Sequence, residues 1–416
     1  MENSEDVDRH LLVMYLIKWL PLAAIVALLA GTASAFFLFA LEWVTTTRIA
    51  HQELILLLPL AGFFVGWLYL RFGARVEAGN NLLIDEIHDP QKVIPLRMAP
   101  LVLAGTLISH LFGASVGREG TAVQMGGALA DQLTHLFKLK RQDRRILLMA
   151  GISAGFASVF GTPLAGAIFG LEVLSVGRLR FDSLLPCLVA AIVADRVGLL
   201  LGVHHTTYHI GVIPAFSFSI FLVIILAGAV FGLAGRVFAG ATHRLSAWMK
   251  VKVRYAPFRP LLGGVVIAAA VYALGAERYI GLGIPGIVEA FLHPVQSDDF
   301  VWKAIFTIAS LGSGFKGGEV TPLFYIGATL GNALAAMLNL PFAFLAGLGF
   351  VAVFAGAANT PIASTFMAIE LFGADVAVFA AVACVMSYLF SGDTGIYRAQ
   401  RKKTGKHRFF NEQEKS

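Results

Sequence analysis

Long apolar runs are the feature that most limits what this 416-residue chain can fold into. Residues 19–46, 54–70, 92–112, 146–170, 185–203, 212–238, 260–274, 322–358 and 361–390 are each dominated by apolar side chains. Several reach the roughly 20 residues that a helix needs to cross the hydrocarbon of a bilayer. In lipid every backbone N–H and C=O must be satisfied internally, which leaves helices or a closed barrel. Barrel strands read as short alternating segments, and these runs do not alternate. The chain is 14% charged, whereas soluble domains run at roughly a quarter. With 43 Gly and 15 Pro interrupting the runs, the expected class is an all-α polytopic membrane protein with broken and re-entrant helices.

The net charge of +6 does not indicate a nucleic-acid partner, because of where the basic residues lie. They gather in "KLKRQDRR" (138–145), in 243–259 and in "YRAQRKKTGKHR" (397–408), each beside an apolar run. Cytoplasmic flanks of membrane helices carry this bias. The expected placement is multi-pass in the inner (plasma) membrane, with both termini cytoplasmic. The acidic start "MENSEDVDRH" lacks the basic region of a signal peptide, so the first helix itself is expected to direct insertion. Cys187 and Cys384 sit far apart in apolar runs and read as buried thiols, not a disulfide.

The chain repeats itself. "LFGASVGREGTAVQMGGALA" (111–130) matches "LGSGFKGGEVTPLFYIGATL" (311–330), with Glu119 and Glu319 200 positions apart. "GNNLLIDEI" (79–87) stands opposite "GLGIPGIVE" (281–289), and "GTPLAGAIFGLEVL" (161–174) opposite "NTPIASTFMAIELF" (359–372). Three blocks recur in one order at nearly constant spacing. Duplicated membrane chains form two similar halves, commonly inverted, with the site between them. The expectation is one membrane domain over 1–416. Half one covers about 50–200 and half two about 215–397; a short basic tail follows at 398–416, with no regulatory domain.

Each block places glycines, then a carboxylate, then a helix-compatible run. A helix that starts inside the membrane turns free N–H groups and its positive dipole end into the protein, a ready anion site. Glycines such as Gly117 and Gly120 let the backbone approach a ligand. A carboxylate can itself occupy an anion site and leave it once protonated, so Glu119 could couple anion movement to proton movement. The plainer reading makes Glu119 a cap or an ion-pair partner of Arg118.

Taken together, "GREGT" (117–121), "GNNLLIDEI", "GLGIPGIVE", "GGEVTPLFYIGATLG" and "GIYRAQ" (395–400) resemble the CLC chloride channel and transporter family over about residues 60–400. The resemblance implies a homodimer with one pore per subunit between inverted halves, and makes Glu119 the external gate and proton carrier. Details are similar to the family's fluoride–proton antiporter branch. Asn80 stands where chloride members have serine, although the missing motif proline (Leu83) leaves Asn81 as an alternative. Thr121 replaces a proline after the gate, and Val173 stands where chloride exchangers carry an internal proton glutamate. Glu319 is then the candidate inner proton station. The resemblance implies fluoride and protons as the transported species, with Asn80, Thr321 and Tyr397 as donors to the ion.

Glu172 and Glu370 recur in both halves and read as scaffold carboxylates on helix ends. His204, His205 and His209 have no acidic or cysteine neighbour within several positions, so no metal is expected. "GSGFKGGEVT" lacks the G-K-[ST] of a phosphate loop, and no cofactor is implied. Two alternatives stay open: a chloride–proton exchanger or chloride channel of the same family, and an intramembrane enzyme using Glu119 and Glu319 as acid and base. The enzyme reading lacks a nucleophile or metal beside these carboxylates.

Overall fold

The computed structural model describes residues 2–402 and 406, with side chains from residue 9; most of the expected basic tail, at 403–405 and 407–416, lies outside the described residues. The first helix, α1 (Glu2–Ala50), runs unbroken through Pro21. It is followed by α2 (Leu58–Phe72), α3 (Asn80–His88), α4 (Met98–Leu111), α5 (Glu119–Leu136), α6 (Arg141–Phe160), α7 (Pro163–Glu172) and α8 (Leu184–Leu200). After an irregular stretch at 203–217, which holds the three histidines, the series runs again. Its members are α9 (Phe218–Lys252), α10 (Phe258–Leu274), α11 (Ile284–Leu292), α12 (Asp299–Ser313), α13 (Val320–Leu338), α14 (Phe342–Ala358), α15 (Pro361–Phe372) and α16 (Ala377–Phe390). The fold is all-helical and membrane-embedded, and five of its helical segments are long and apolar enough to cross a membrane.

Several of the others are too short. The nine residues each of α3 and α11 extend about 14 Å, half the hydrocarbon thickness. These are the broken elements that the glycine content implied. Two apolar runs are split where hydropathy gives no sign of it. The run 322–358 breaks at Asn339 (φ 53°) with Pro341 close behind, and 146–170 breaks at Gly161 (φ 71°). Both residues end their helices in the left-handed conformation, which Gly and Asn tolerate best.

Three pairs of contacts relate the two series by an approximate two-fold. Glu172, ending α7, accepts from the N–H groups of Ile362 (3.0 Å) and Ala363 (2.8 Å) at the start of α15. Glu370, near the end of α15, accepts from Leu164 and Ala165 at the start of α7, both at 2.8 Å. Each helix thus caps the N-terminus of its counterpart, which requires the two to run in opposite directions. Gln132 donates to the carbonyl of Ile94 (2.9 Å), while Asn332, 200 positions on, accepts from the N–H of Val295 (3.1 Å). Gly117 and Gly318 exchange backbone hydrogen bonds of 2.6 and 2.7 Å in an antiparallel bridge.

A buried ion-pair cluster fixes α3 against α5 and α6. Arg144 grips both oxygens of Asp131 (2.7 and 2.8 Å) and reaches Glu86 (2.8 Å) and the Lys92 carbonyl (2.7 Å). Asp131 also accepts from the N–H of Ile94 and from Thr134. Because both carboxylates are engaged, the guanidinium is buried with its charge compensated. This cluster sets where the start of α3, with Asn80, sits relative to the start of α5, with Glu119.

Candidate anion-conducting site

Two helix pairs, α4–α5 and α12–α13, are interrupted at corresponding places, at residues 112–118 and 314–319. The interruptions meet at the Gly117–Gly318 bridge, so the N-termini of α5 and α13 converge inside the protein. Only glycine permits this approach. A side chain on Gly318 would begin 2.8 Å from the Gly120 nitrogen, and one on Gly117 would begin 3.0 Å from the Gly318 carbonyl oxygen. Because the Gly117 N–H is committed to the Gly318 carbonyl, Gly117 ties the two loops together and does not offer its N–H to an anion; the sequence alone places it among the anion-binding glycines. Gly120 is kept small by Asn80, whose Nδ2 lies 3.0 Å from where a side chain there would begin.

Glu119 is the first residue of α5 and is 1% exposed. Its carboxylate does not cap its own helix. It accepts from the Thr321 N–H (3.0 Å) and from the Thr321 hydroxyl, so it caps α13 of the opposite half. It also accepts from the Arg118 N–H (3.2 Å), with the Arg118 guanidinium 3.5 Å away. A carboxylate here occupies a seat built from helix-terminal N–H groups and a hydroxyl, all donors.

Beside the 314–319 loop that leads into α13 lies a cavity of about 250 Å³ whose lining includes Asn80, Gln124, Lys316, Glu319 and Tyr397. Glu319 holds the N-cap position of α13 with no side-chain capping bond, leaving its carboxyl to the cavity. The Asn80 side-chain oxygen is buried without a partner, whereas the Asn81 oxygen accepts from the Ala399 N–H (2.9 Å). Asn81 therefore holds the segment carrying Tyr397, and both asparagines line the cavity. Tyr397 is buried at the inner end of the cavity, its ring edge-on to Phe169. Behind Arg118 lies a separate cleft of about 360 Å³, lined in part by Glu42, Thr46 and His204. The Glu119–Thr321 contact thus stands between two openings.

Sequence reasoning singled out the Glu119, Glu319, Asn80, Thr321 and Tyr397 that meet here, and did not find three neighbours. Gly318 aligns with Arg118 at the repeat spacing, and that register was the available signal. Lys316 lies in the same quoted block; its ammonium rests 4.1 Å from the Tyr69 ring and lines the cavity. Gln124, one turn into α5, had no signal beyond its polarity in an apolar run.

Comparisons with known proteins agree with this architecture. The family described as "Voltage gated chloride channel" matches residues 61–392. The "Chloride/fluoride channel protein" of Pseudomonas syringae pv. tomato is 63% identical over 412 residues, covering 97% of this chain and 90% of that protein. The "H(+)/Cl(-) exchange transporter ClcA" of Vibrio parahaemolyticus is 27% identical over 85% of this chain and 81% of its own length. Among solved structures, a CLC-type fluoride/proton antiporter superimposes with a TM-score of 0.91 at 35% identity, over 93% of this chain and 98% of that one. A slow cyanobacterial Cl⁻/H⁺ antiporter shares the fold, with a TM-score of 0.78 at 22% identity over 89% of this chain and 93% of its own.

Proposed function

This chain belongs to the CLC family of ion channels and transporters, and from that premise we propose that it exports fluoride across the inner membrane in exchange for protons. The observation that carries the reading is the Glu119 carboxylate seated on Thr321 at the N-terminus of α13. While ionised, Glu119 takes the anion's place and closes the path. Once protonated it loses most of its attraction to N–H donors, leaves, and lets an anion take the seat. One side chain then carries the proton and yields to the anion in turn.

Fluoride is small and strongly hydrated, so drawing it from water demands several good donors. The Asn80 amide, the Thr321 hydroxyl and N–H, and the Tyr397 phenol supply them. Glu319 receives protons from the cavity and passes them toward Glu119, a role left open by Val173. Support for fluoride over chloride comes from the likeness to the fluoride/proton antiporter structure, and the name of the Pseudomonas relative includes fluoride beside chloride. The two repeat halves are the helices over about 50–200 and about 215–397. The unit is a homodimer with a pore in each subunit and both termini in the cytoplasm.

The test is flux from liposomes holding the purified protein, read with a fluoride electrode while proton uptake is recorded. Uphill proton movement coupled to fluoride efflux, little chloride flux, and loss of the proton movement in Glu119→Gln are expected. Equal chloride flux would return the protein to the chloride exchangers. Fluoride flux without proton movement would make it a channel, as the name of the Pseudomonas relative has it. Absence of any anion flux would defeat the reading.

A further inference from the structure

On the side of the protein where Tyr397 and Arg398 line the cavity, the chain continues to Arg401, which borders a second, separate cleft of about 530 Å³. Its lining includes His88, Arg178, Arg180, Asp182 and Arg401. Three guanidiniums face one carboxylate. Arg180 lies 3.5 Å from Asp182, and among the described residues the guanidiniums of Arg178 and Arg401 have no hydrogen-bond or ion-pair partner. His88, neutral or cationic, supplies no negative charge; its Nε2 donates to the Leu174 carbonyl at 2.8 Å.

Arg178, Asp182 and Arg401 are exposed at the mouth of the cleft, and the backbone that carries Arg401 is fixed from both sides. Arg401 donates its N–H to the Leu174 carbonyl (3.2 Å) and accepts from the Val176 N–H (3.1 Å), which joins the segment after α7 to the segment after α16. Gln400, beside it, donates to the carbonyls of Val173 (3.0 Å) and Ala358 (2.8 Å). The cleft also adjoins the start of a helical segment long and apolar enough to cross a membrane. Arg180 immediately precedes the span Phe181–Leu200, whose first residue, Phe181, is 70% exposed, with Leu184 exposed beside it. Unpaired guanidiniums next to exposed apolar side chains match a ligand with a phosphate head and an acyl tail. Arg is the side chain suited to phosphate oxygens, which it can grip with two N–H groups at once.

We propose that this cleft binds the phosphate of an anionic phospholipid. The shared chemistry is a phosphate ester anion; exposed Phe181 and Leu184 favour its arriving on a lipid over arriving free in solution. The bound headgroup would brace Arg401, and through the 397–401 segment the position of Tyr397.

Delipidated protein in detergent is titrated with phosphatidylglycerol or phosphatidylcholine and bound lipid is counted by native mass spectrometry. Basic residues at a membrane surface each contribute about fivefold to anionic lipid binding, so Arg178→Gln with Arg401→Gln should weaken phosphatidylglycerol binding about 25-fold. Arg178→Lys with Arg401→Lys should lose much less, and Arg97→Gln, an exposed arginine elsewhere, should lose none. Unchanged thermal midpoints confirm that the variants are folded. Equal binding of the two lipids, or undiminished binding by the double Gln variant, overturns the proposal. So does displacement of the lipid by millimolar inorganic phosphate, which would make the ligand a free anion. Lipid binding unchanged while the double variant dissociates into monomers would assign the cleft to a second copy of the chain, and also overturns it. Fluoride flux with and without phosphatidylglycerol is a separate readout that rests on the transport reading. Loss of all flux in every lipid would defeat that reading and leave the mass-spectrometric result standing.

Discussion

The carboxylate of Glu119 in α5 is capped onto Thr321, the second residue of α13, through both its backbone N–H and its hydroxyl. A group from one half therefore closes the helix end of the other, and each half is an incomplete site alone. The Gly117–Gly318 bridge holds the two in register. Removing charge from this contact, removing a donor, or pushing the loops apart should have separable effects.

Glu119→Gln keeps the shape and removes the charge. The amide cannot ionise, so it has no proton to exchange. Fluoride-driven proton uptake in liposomes should fall to background; proton uptake that persists in this variant would remove Glu119 from the proton path.

Thr321→Ala removes the hydroxyl and keeps the backbone N–H. A hydrogen bond to a charged group is worth about 1.5–3 kcal/mol, so the initial rate of fluoride efflux should drop about tenfold or more. Thr321→Ser restores the donor and should recover most of the rate. An unchanged rate in the alanine variant would remove Thr321 from the anion seat.

Gly318→Ala places a methyl group 2.8 Å from the Gly120 nitrogen, which is backbone and cannot swing away. The loops must separate, at about 1–3 kcal/mol. Both the thermal midpoint in detergent and the flux should fall. A variant with normal flux would show that the close approach of the loops is dispensable.

Arg144→Met leaves Asp131 and Glu86 buried without their cation. Breaking a buried pair from one side costs about 3–5 kcal/mol, so the thermal midpoint should drop sharply. Lys18→Met removes the partner of Asp143 in a more exposed pair. That change should cost less than about 1 kcal/mol. Equal losses in the two variants would contradict the assignment of Arg144 as the staple of α3.

Glu172→Gln weakens the cap on α15 without touching the path. Charge at a helix N-terminus is worth about 0.3–2 kcal/mol, so stability should decline modestly while coupled flux persists. Loss of proton coupling in this variant would move Glu172 from scaffold to proton route.

The amino-acid sequence alone determined the helical membrane class, because apolar runs of span length leave no other way to satisfy the backbone in lipid. It also showed three blocks recurring in one order, and Glu119 and Glu319 stood out as carboxylates in apolar, glycine-rich surroundings; Asn80, Thr321 and Tyr397 were reached only through the resemblance to the CLC family. It did not reveal where runs 322–358 and 146–170 break, since left-handed Asn339 and Gly161 change backbone direction without changing hydropathy. Nor could it tell that Glu119 caps the other half's helix, that Asn81 holds the Ala399 N–H, or that Gly117 spends its N–H on Gly318. Those outcomes depend on which donor meets which acceptor across about two hundred residues of chain. Local pattern records what a residue can bond to; only the packing of the two halves decides what lies within reach.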